Sequence, residues 1–512
     1  MHQKIIVLIV LVIVLIAALV IGVDIGRADY ENISLYIGVA FTLYFCLHGW
    51  RTVWWIIALL VFTNPSFVHQ FDFDSRHVFT LAIIVTSCVA YVHGRKDFPR
   101  LASFQKAGSR PTTFLFGLLL IYGIFHSLVY YLFPYSPIDY SWKSSAKANF
   151  QAFAPIFCFF WMMSGFYHFN LKNNWSSKFI LIIVFSLIAN TAVMVVQTSL
   201  GFGSGNSQDV DPNVYALAIP IINLIPNQFA LRALCPIAMA LILMITTTPG
   251  WWKQTSFMMR VVSIFSFPLI ITGALYSGGR ATPLFCLVIA TAVAFARKKT
   301  HLIALMGCAI TLVFGGVNVF SHEINTQAPM LVARSAQFLM INKDDRIYGS
   351  VTNSQESRDG ALKAALLLWK QDNRILFFGR SVFSFTKQDA AVKGHGDEDG
   401  FIENCLRTGG VHNLVGDLLL QFGLVGCFLY LFTYAAAIRF FWRLSSTIPP
   451  TNPLAKSLAG AMKIYLPLMF IYQLLGGTFL PMEAALVVGL IRASLLRAED
   501  SFAVLTPPLP TH

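Results

Sequence analysis

Six polar residues stand out because the sequence places them at one depth on one face of an apolar chain. Arg280 follows Tyr276-Ser277-Gly278-Gly279, where two glycines let the backbone approach a ligand closely and a planar guanidinium suits a phosphate. Arg232 follows Ile225-Pro226-Asn227-Gln228 at the start of another apolar run, and Arg358 opens the stretch SRDGALKAALLLWKQDN, Ser357 to Asn373. His412 and Asn413 come after Gly409-Gly410-Val411, and Asp417 lies four residues past Asn413, on nearly the same face of a helix. A histidine is the natural general base near neutral pH, and a carboxylate at that depth faces protein rather than lipid. Each residue also has a plainer use: Arg280 and Arg232 as interfacial anchors, Arg358 as an ion pair with Asp359, Asn413 as a helix cap. Taken together they suit a lipid-linked diphosphate. The arginines would stabilise the charge developing on the leaving group, and His412 would accept a proton from an attacking hydroxyl.

The elements that must position these residues are membrane helices. Of the 512 residues, 56% are hydrophobic and 12% charged, against about 25% charged in a soluble domain, and the mean hydropathy is +0.65. Runs such as Ile5 to Ile21, Phe114 to Phe133 and Phe179 to Val196 approach or reach the roughly 20 residues that cross a bilayer. The first run follows Lys4 like a leader peptide, but it is long and lacks a small-residue cleavage site, so it reads as a retained anchor. We read fourteen spans: 4–23, 33–49, 52–68, 78–93, 112–133, 152–169, 178–200, 230–248, 261–276, 281–296, 301–320, 412–442, 463–478 and 481–497. On one face the connections carry Arg51, Arg95, Lys96, Arg100, Lys106, Arg110, Lys172, Lys253, Arg260, Arg297, Lys298, Lys299, Arg439, Arg443 and Lys456 with few acids. The positive-inside rule makes that face cytoplasmic. The net charge of +13 therefore orients the chain in a bilayer and implies no nucleic acid partner.

The other face carries acidic short loops and one long segment, Ser321 to Val411, with eleven basic and eleven acidic residues. A connection of that length is functional rather than a simple link. The chain thus divides into helices over 1–320, a loop domain over 321–411, and helices with a cytoplasmic tail over 412–512. Inside the loop, Leu362, Ala365, Leu366 and Trp369 recur at helical spacing, so an amphipathic helix should rest on the bilayer surface or on the membrane domain. Seven of the eight cysteines fall in apolar spans and only Cys405 lies in the loop, so no disulfide framework holds it within one chain and packing must.

No P-loop, dinucleotide fingerprint, HExxH or paired CxxC is present, which argues against a nucleotide-driven pump or enzyme. The stretch Val411-His412-Asn413-Leu414-Val415-Gly416-Asp417, continued by LLLQFGLVG to Gly426, resembles the HN and glycine signature of the O-antigen ligase and polymerase family. Ser277 to Arg280, Ser357-Arg358 with Trp369 and Gly379, and Pro226-Asn227 are similar to further elements of that family, over about Pro226 to Gly426. Two departures stand out: a glycine pair separates Ser277 from Arg280, and the usual glycine-rich element reads Gly379-Arg380-Ser381.

The resemblance implies an all-α polytopic, GT-C-like fold of about 14 transmembrane helices with one large periplasmic loop, in a bacterial inner membrane. It implies a metal-independent glycosyltransferase that takes glycan from undecaprenyl diphosphate at the periplasmic face. The acceptor would be lipid A–core or another glycan repeat, with other polysaccharide-assembly proteins as further partners. By the same resemblance His412, Arg280 and Arg358 are catalytic, and Arg232, Asn413 and Asp417 bind substrate. The rival class is a transporter or flippase for a lipid-linked glycan or anion, against which stand the long loop and the lack of paired halves with matching broken helices. A metal-dependent transferase using Asp397, Glu398 and Asp399 is a weaker alternative, since an acidic turn flanked by glycines is usually a solvated loop.

Overall fold

The computed structural model describes most of residues 228–342, 359–379, 413–448 and 453–474, with parts of 114–126, 183–195 and 484–495 and two short stretches at 65–66 and 217–224. Nine helices carry this part: α1 Gln228–Thr246, α2 Trp251–Gln254, α3 Phe257–Tyr276, α4 Ala281–Ala296, α5 Thr300–Val319, α6 Ser321–Gln327, α7 Asn373–Phe378, α8 Leu414–Thr447 and α9 Pro453–Leu474. Residues 359–367, 369 and 370 are helical as well. Three of these helices, α3, α8 and α9, are long and apolar enough to cross a membrane, and α4 and most of α1 are shorter apolar helices. Phe265, Ile271, Phe428 and Phe432 point outward from them, an apolar surface that suits lipid and not water.

Helix α1 is the axis of the bundle. Leu231, Ala233, Cys235, Ile237, Met239 and Ala240 are buried on different sides of it, as expected of a helix that is apolar all round. Its alanines Ala233, Ala238 and Ala240 let α3, α4 and α9 pack against it closely. Helix α8 lies beyond α9 and carries α7 on its other side. The ranges read from hydropathy for the eighth to twelfth spans agree with α1, α3, α4, α5 and α8 to within five residues at each end. The thirteenth span is corrected: it was read as 463–478, whereas α9 begins at Pro453. Lys456 and Lys463 lower the hydropathy of its first turns, while Pro453 suits the first helical position, where its missing N–H removes nothing.

Three short strands add a sheet that the sequence reading did not anticipate. Leu217–Ile219 (β2) and Ile222–Leu224 (β3) form a hairpin, and Pro65–Ser66 (β1) pairs antiparallel with β3 in the order β1-β3-β2. The sheet ends four residues before α1 and ties the start of that helix to Pro65–Ser66, a strand where hydropathy gives the end of the third span, 52–68.

Candidate functional site

One end of the bundle, here the upper end, gathers the starts of α1, α4 and α8 and the finishes of α3 and α9. Arg232, in the second turn of α1, donates from Nε to the carbonyl of Ser277 at 3.0 Å. Ser277 is fully buried at the end of α3; its Oγ donates to the Ala274 carbonyl at 2.7 Å and accepts the Gly279 N–H at 3.2 Å. The Gly279 carbonyl then takes the Thr282 N–H at 3.0 Å, which starts α4. A Cβ on Gly279 would stand 2.4 Å from Thr282 Oγ1 and 3.1 Å from Arg232 Nε, so a side chain there would displace both. This turn immediately precedes Arg280, and Arg232 braces it.

The start of α8 is built onto the end of α9. Asn413 caps α8: its Oδ1 accepts the N–H groups of Val415 and Gly416, both at 3.1 Å, while its Nδ2 donates to the Leu474 carbonyl at 2.9 Å. The plainer use expected of Asn413, a helix cap, is therefore present together with a bond to a second helix. Asp417 is buried one turn further on, with its N–H on the Asn413 carbonyl at 2.8 Å, and Gln421 is buried one turn beyond it. Phe285 of α4 stacks on Tyr472 of α9, with centroids 4.8 Å apart, which completes the circuit from Arg232 round to Asn413.

Helix α8 cannot be straight. From Asn413 to Tyr434 is 21 residues, about 32 Å of ideal helix. The α9 residues those two contact, Leu474 and Leu466, are eight apart, about 12 Å, with Tyr434 donating to the Leu466 carbonyl at 3.1 Å. The difference is absorbed at Gly423, whose φ of 63° and ψ of −170° interrupt the helix. The segment bearing Asn413 and Asp417 is thereby turned away from the line of the remaining helix.

That bend is where the long loop docks. Helix α7 ends at Gly379, also at positive φ, and packs on Gln421 to Gly423. Tyr122 Oη donates to the Phe422 carbonyl at 2.6 Å, and His126 Nε2 lies 2.7 Å from the Phe378 carbonyl. Beneath them Ala361, Ala365, Trp369 and Ile375 pack against Leu420. The amphipathic helix therefore rests on the helical bundle, through a face rotated from the one read in the sequence: Ala361 joins it, Leu362 is partly buried, and Leu366 is exposed. The two alanines allow the close approach that a leucine would block.

Of the six site residues expected from sequence, Arg232, Asn413 and Asp417 come to the upper end of the bundle. Arg280, Arg358 and His412 lie outside the described residues, although Gly279, Asp359 and Asn413 beside them are described. The acidic turn Asp397 to Asp399 also lies outside them. Tyr122, His126, Thr282 and Gln473 join the expected residues in the structure. A polar residue in an apolar run marks each of them, with the same strength as many residues that only pack. Compared with known protein families and with curated proteins, the chain matches none.

Proposed function

We propose that the chain is a glycosyltransferase of the O-antigen ligase or polymerase type, moving glycan from undecaprenyl diphosphate at the periplasmic face of a bacterial inner membrane. The observation that carries this reading is the meeting, at one end of an apolar bundle, of Arg232, the turn leading to Arg280, and the Asn413-capped start of α8 with buried Asp417. The N-termini of α1, α4 and α8 gather there, and each favours negative charge. Arginine forks and helix N-termini together would hold a diphosphate and stabilise the charge it gains as the sugar leaves. His412, directly before the cap, would take the proton of the acceptor hydroxyl as that oxygen attacks the anomeric carbon. The donor is already activated, so no nucleotide is consumed. The grooves between helices would take the polyprenyl chain, and the docked loop would roof the polar head.

Purified protein in detergent, given undecaprenyl-diphosphate-linked glycan and an acceptor, tests this. Transfer is expected, with Arg280→Ala and Arg358→Ala abolishing it at normal protein levels, and lysine at either position only partly tolerated because a point charge replaces a fork. Donor binding without transfer to any acceptor would instead indicate a carrier.

A further inference from the structure

The two ends of the bundle treat their buried polar groups differently. At the lower end they gather on one another: Thr248 Oγ1 and Ser457 Oγ lie within hydrogen-bond distance of each other and of the Met244 and Pro453 carbonyls respectively, so that when one hydroxyl donates to its carbonyl the other can donate to it. Arg297, just past α4, donates from Nη2 to the Met244 carbonyl at 2.7 Å and shares its other proton between the two hydroxyls, while its buried Nε has no partner among the described residues. Burial lowers its pKa, yet a guanidinium remains charged in a protein.

At the upper end the network is open. Gln473 of α9 is 1% exposed, and neither its Oε1 nor its Nε2 has a partner among the described residues. Thr282 Oγ1 is likewise buried without one, and Thr191 Oγ1, beside Gly273 and Cys235, is a third. A buried polar group left unmet is destabilising, so an amide unmet at both ends is a substantial deficit in a helix that apolar residues would build without it. Gln473 continues the inward stripe Met462, Leu466, Met469, all buried, so its side chain lies inside the bundle. It also stands between two contacts of the site: Tyr472, stacked on Phe285, and Leu474, bonded to Asn413. Thr282 is one turn above Phe285 on α4, about 4.5 Å along the axis, so both groups lie just above that stack.

We infer that Gln473 and Thr282 hydrogen-bond the sugar of the bound ligand, while the arginines hold its diphosphate; this rests on the function proposed above. The chemistry separates the two parts. A diphosphate only accepts hydrogen bonds and would leave the amide oxygen of Gln473 unmet, whereas sugar hydroxyls both donate and accept, and satisfy both ends of an amide and a threonine hydroxyl. A site with polar groups waiting for hydroxyls rejects a ligand that lacks them, which makes these residues determinants of specificity.

The test measures binding of two lipids in detergent, undecaprenyl diphosphate carrying the glycan and undecaprenyl diphosphate carrying none. Gln473→Met keeps the length of the side chain without its amide, and Thr282→Val removes only the hydroxyl. Each is expected to weaken binding of the glycan-bearing lipid about tenfold or more, and to leave the sugar-free lipid within twofold of the native value. Thr282→Val alone decides the matter if Gln473→Met fails to fold. Unchanged binding of both lipids would overturn the inference and leave these groups as sites for trapped water. Equal weakening of both lipids would overturn the sugar assignment in favour of the diphosphate. A native protein that binds neither lipid would instead overturn the proposed function, and this inference with it.

Discussion

Gly379 and Gly423 lie on two backbones in direct contact, and a side chain on either would enter the backbone of the other's segment. A Cβ on Gly379 would fall 2.5 Å from backbone atoms of Gln421, Phe422 and Gly423, and one on Gly423 would fall 2.4 Å from those of Phe377 and Phe378. Both have positive φ. Two backbones meet here with nothing between them, and the loop is fixed to α8 at the point where that helix bends.

Alanine at either glycine should therefore be costly. Backbone strain alone is on the order of 1–3 kcal/mol, before the clash is counted, and a backbone neighbour has no rotamer to move aside. Gly379→Ala and Gly423→Ala are expected to lower the melting temperature in detergent markedly. Gly315→Ala and Gly316→Ala, where a Cβ meets nothing within 4 Å, should be neutral or slightly stabilising. Equal melting temperatures across all four would remove the joint.

Tyr122 serves the same joint through one atom. Tyr122→Phe keeps the ring beside Gly426 and loses the Oη bond to the Phe422 carbonyl, so a loss of about 0.5–1.5 kcal/mol is expected. The change should also raise protease sensitivity within 359–379, because the bond ties the bend under that segment. Native protection of the segment in Tyr122→Phe would mean that the hydroxyl does not hold it.

Asn413 makes two kinds of bond, and substitutions can separate them. Asn413→Ala loses both the cap and the link to Leu474, together about 2 kcal/mol. Asn413→Ser keeps an oxygen for the cap and loses only the link, about 1 kcal/mol. Unfolding followed in mixed micelles would show the graded loss; identical values for the two variants would mean that the cap contributes nothing.

The pH dependence of transfer addresses His412. With the imidazole as base, the rate should fall as pH drops through the pKa of the histidine, about 6.5 in its unperturbed state, because the protonated ring can accept nothing. His412→Ala should lower the rate about 10²–10⁴-fold, flatten that acidic limb, and leave donor binding nearly intact. An unchanged pH profile in His412→Ala would assign the limb to another group.

The helices around the site were legible in the sequence because a sustained apolar run has one reading at membrane length. Span 281–296 was read to the residue. The start of α9 was not, because Lys456, beside Pro449, Pro450 and Pro453, looks like loop in a hydropathy count. The site was legible where short motifs carry local chemistry: the asparagine before α8 reads as a cap and is one. What joins distant parts was not legible. That Gly423 faces Gly379, or that Arg232 braces Ser277, depends on which helices become neighbours, and apolar composition carries no such information. The run LLLQFGLVG shows a glycine in a helix, which costs about 1 kcal/mol wherever it stands; only the contact explains why it is there.

Helix α9 also bears on the order in which the protein is made. Arg297 leaves the ribosome 160 residues before Ser457, and Asn413 61 residues before Leu474. Until α9 has been synthesised, the guanidinium at the foot of α4 has only the acceptors of α1, and the cap of α8 has no second helix to hold. One late helix fastens both extremities of a bundle whose central members were inserted long before it. A chain truncated ahead of Pro453 would keep α1, α3, α4 and α8, yet both of these links to α9 would be lost.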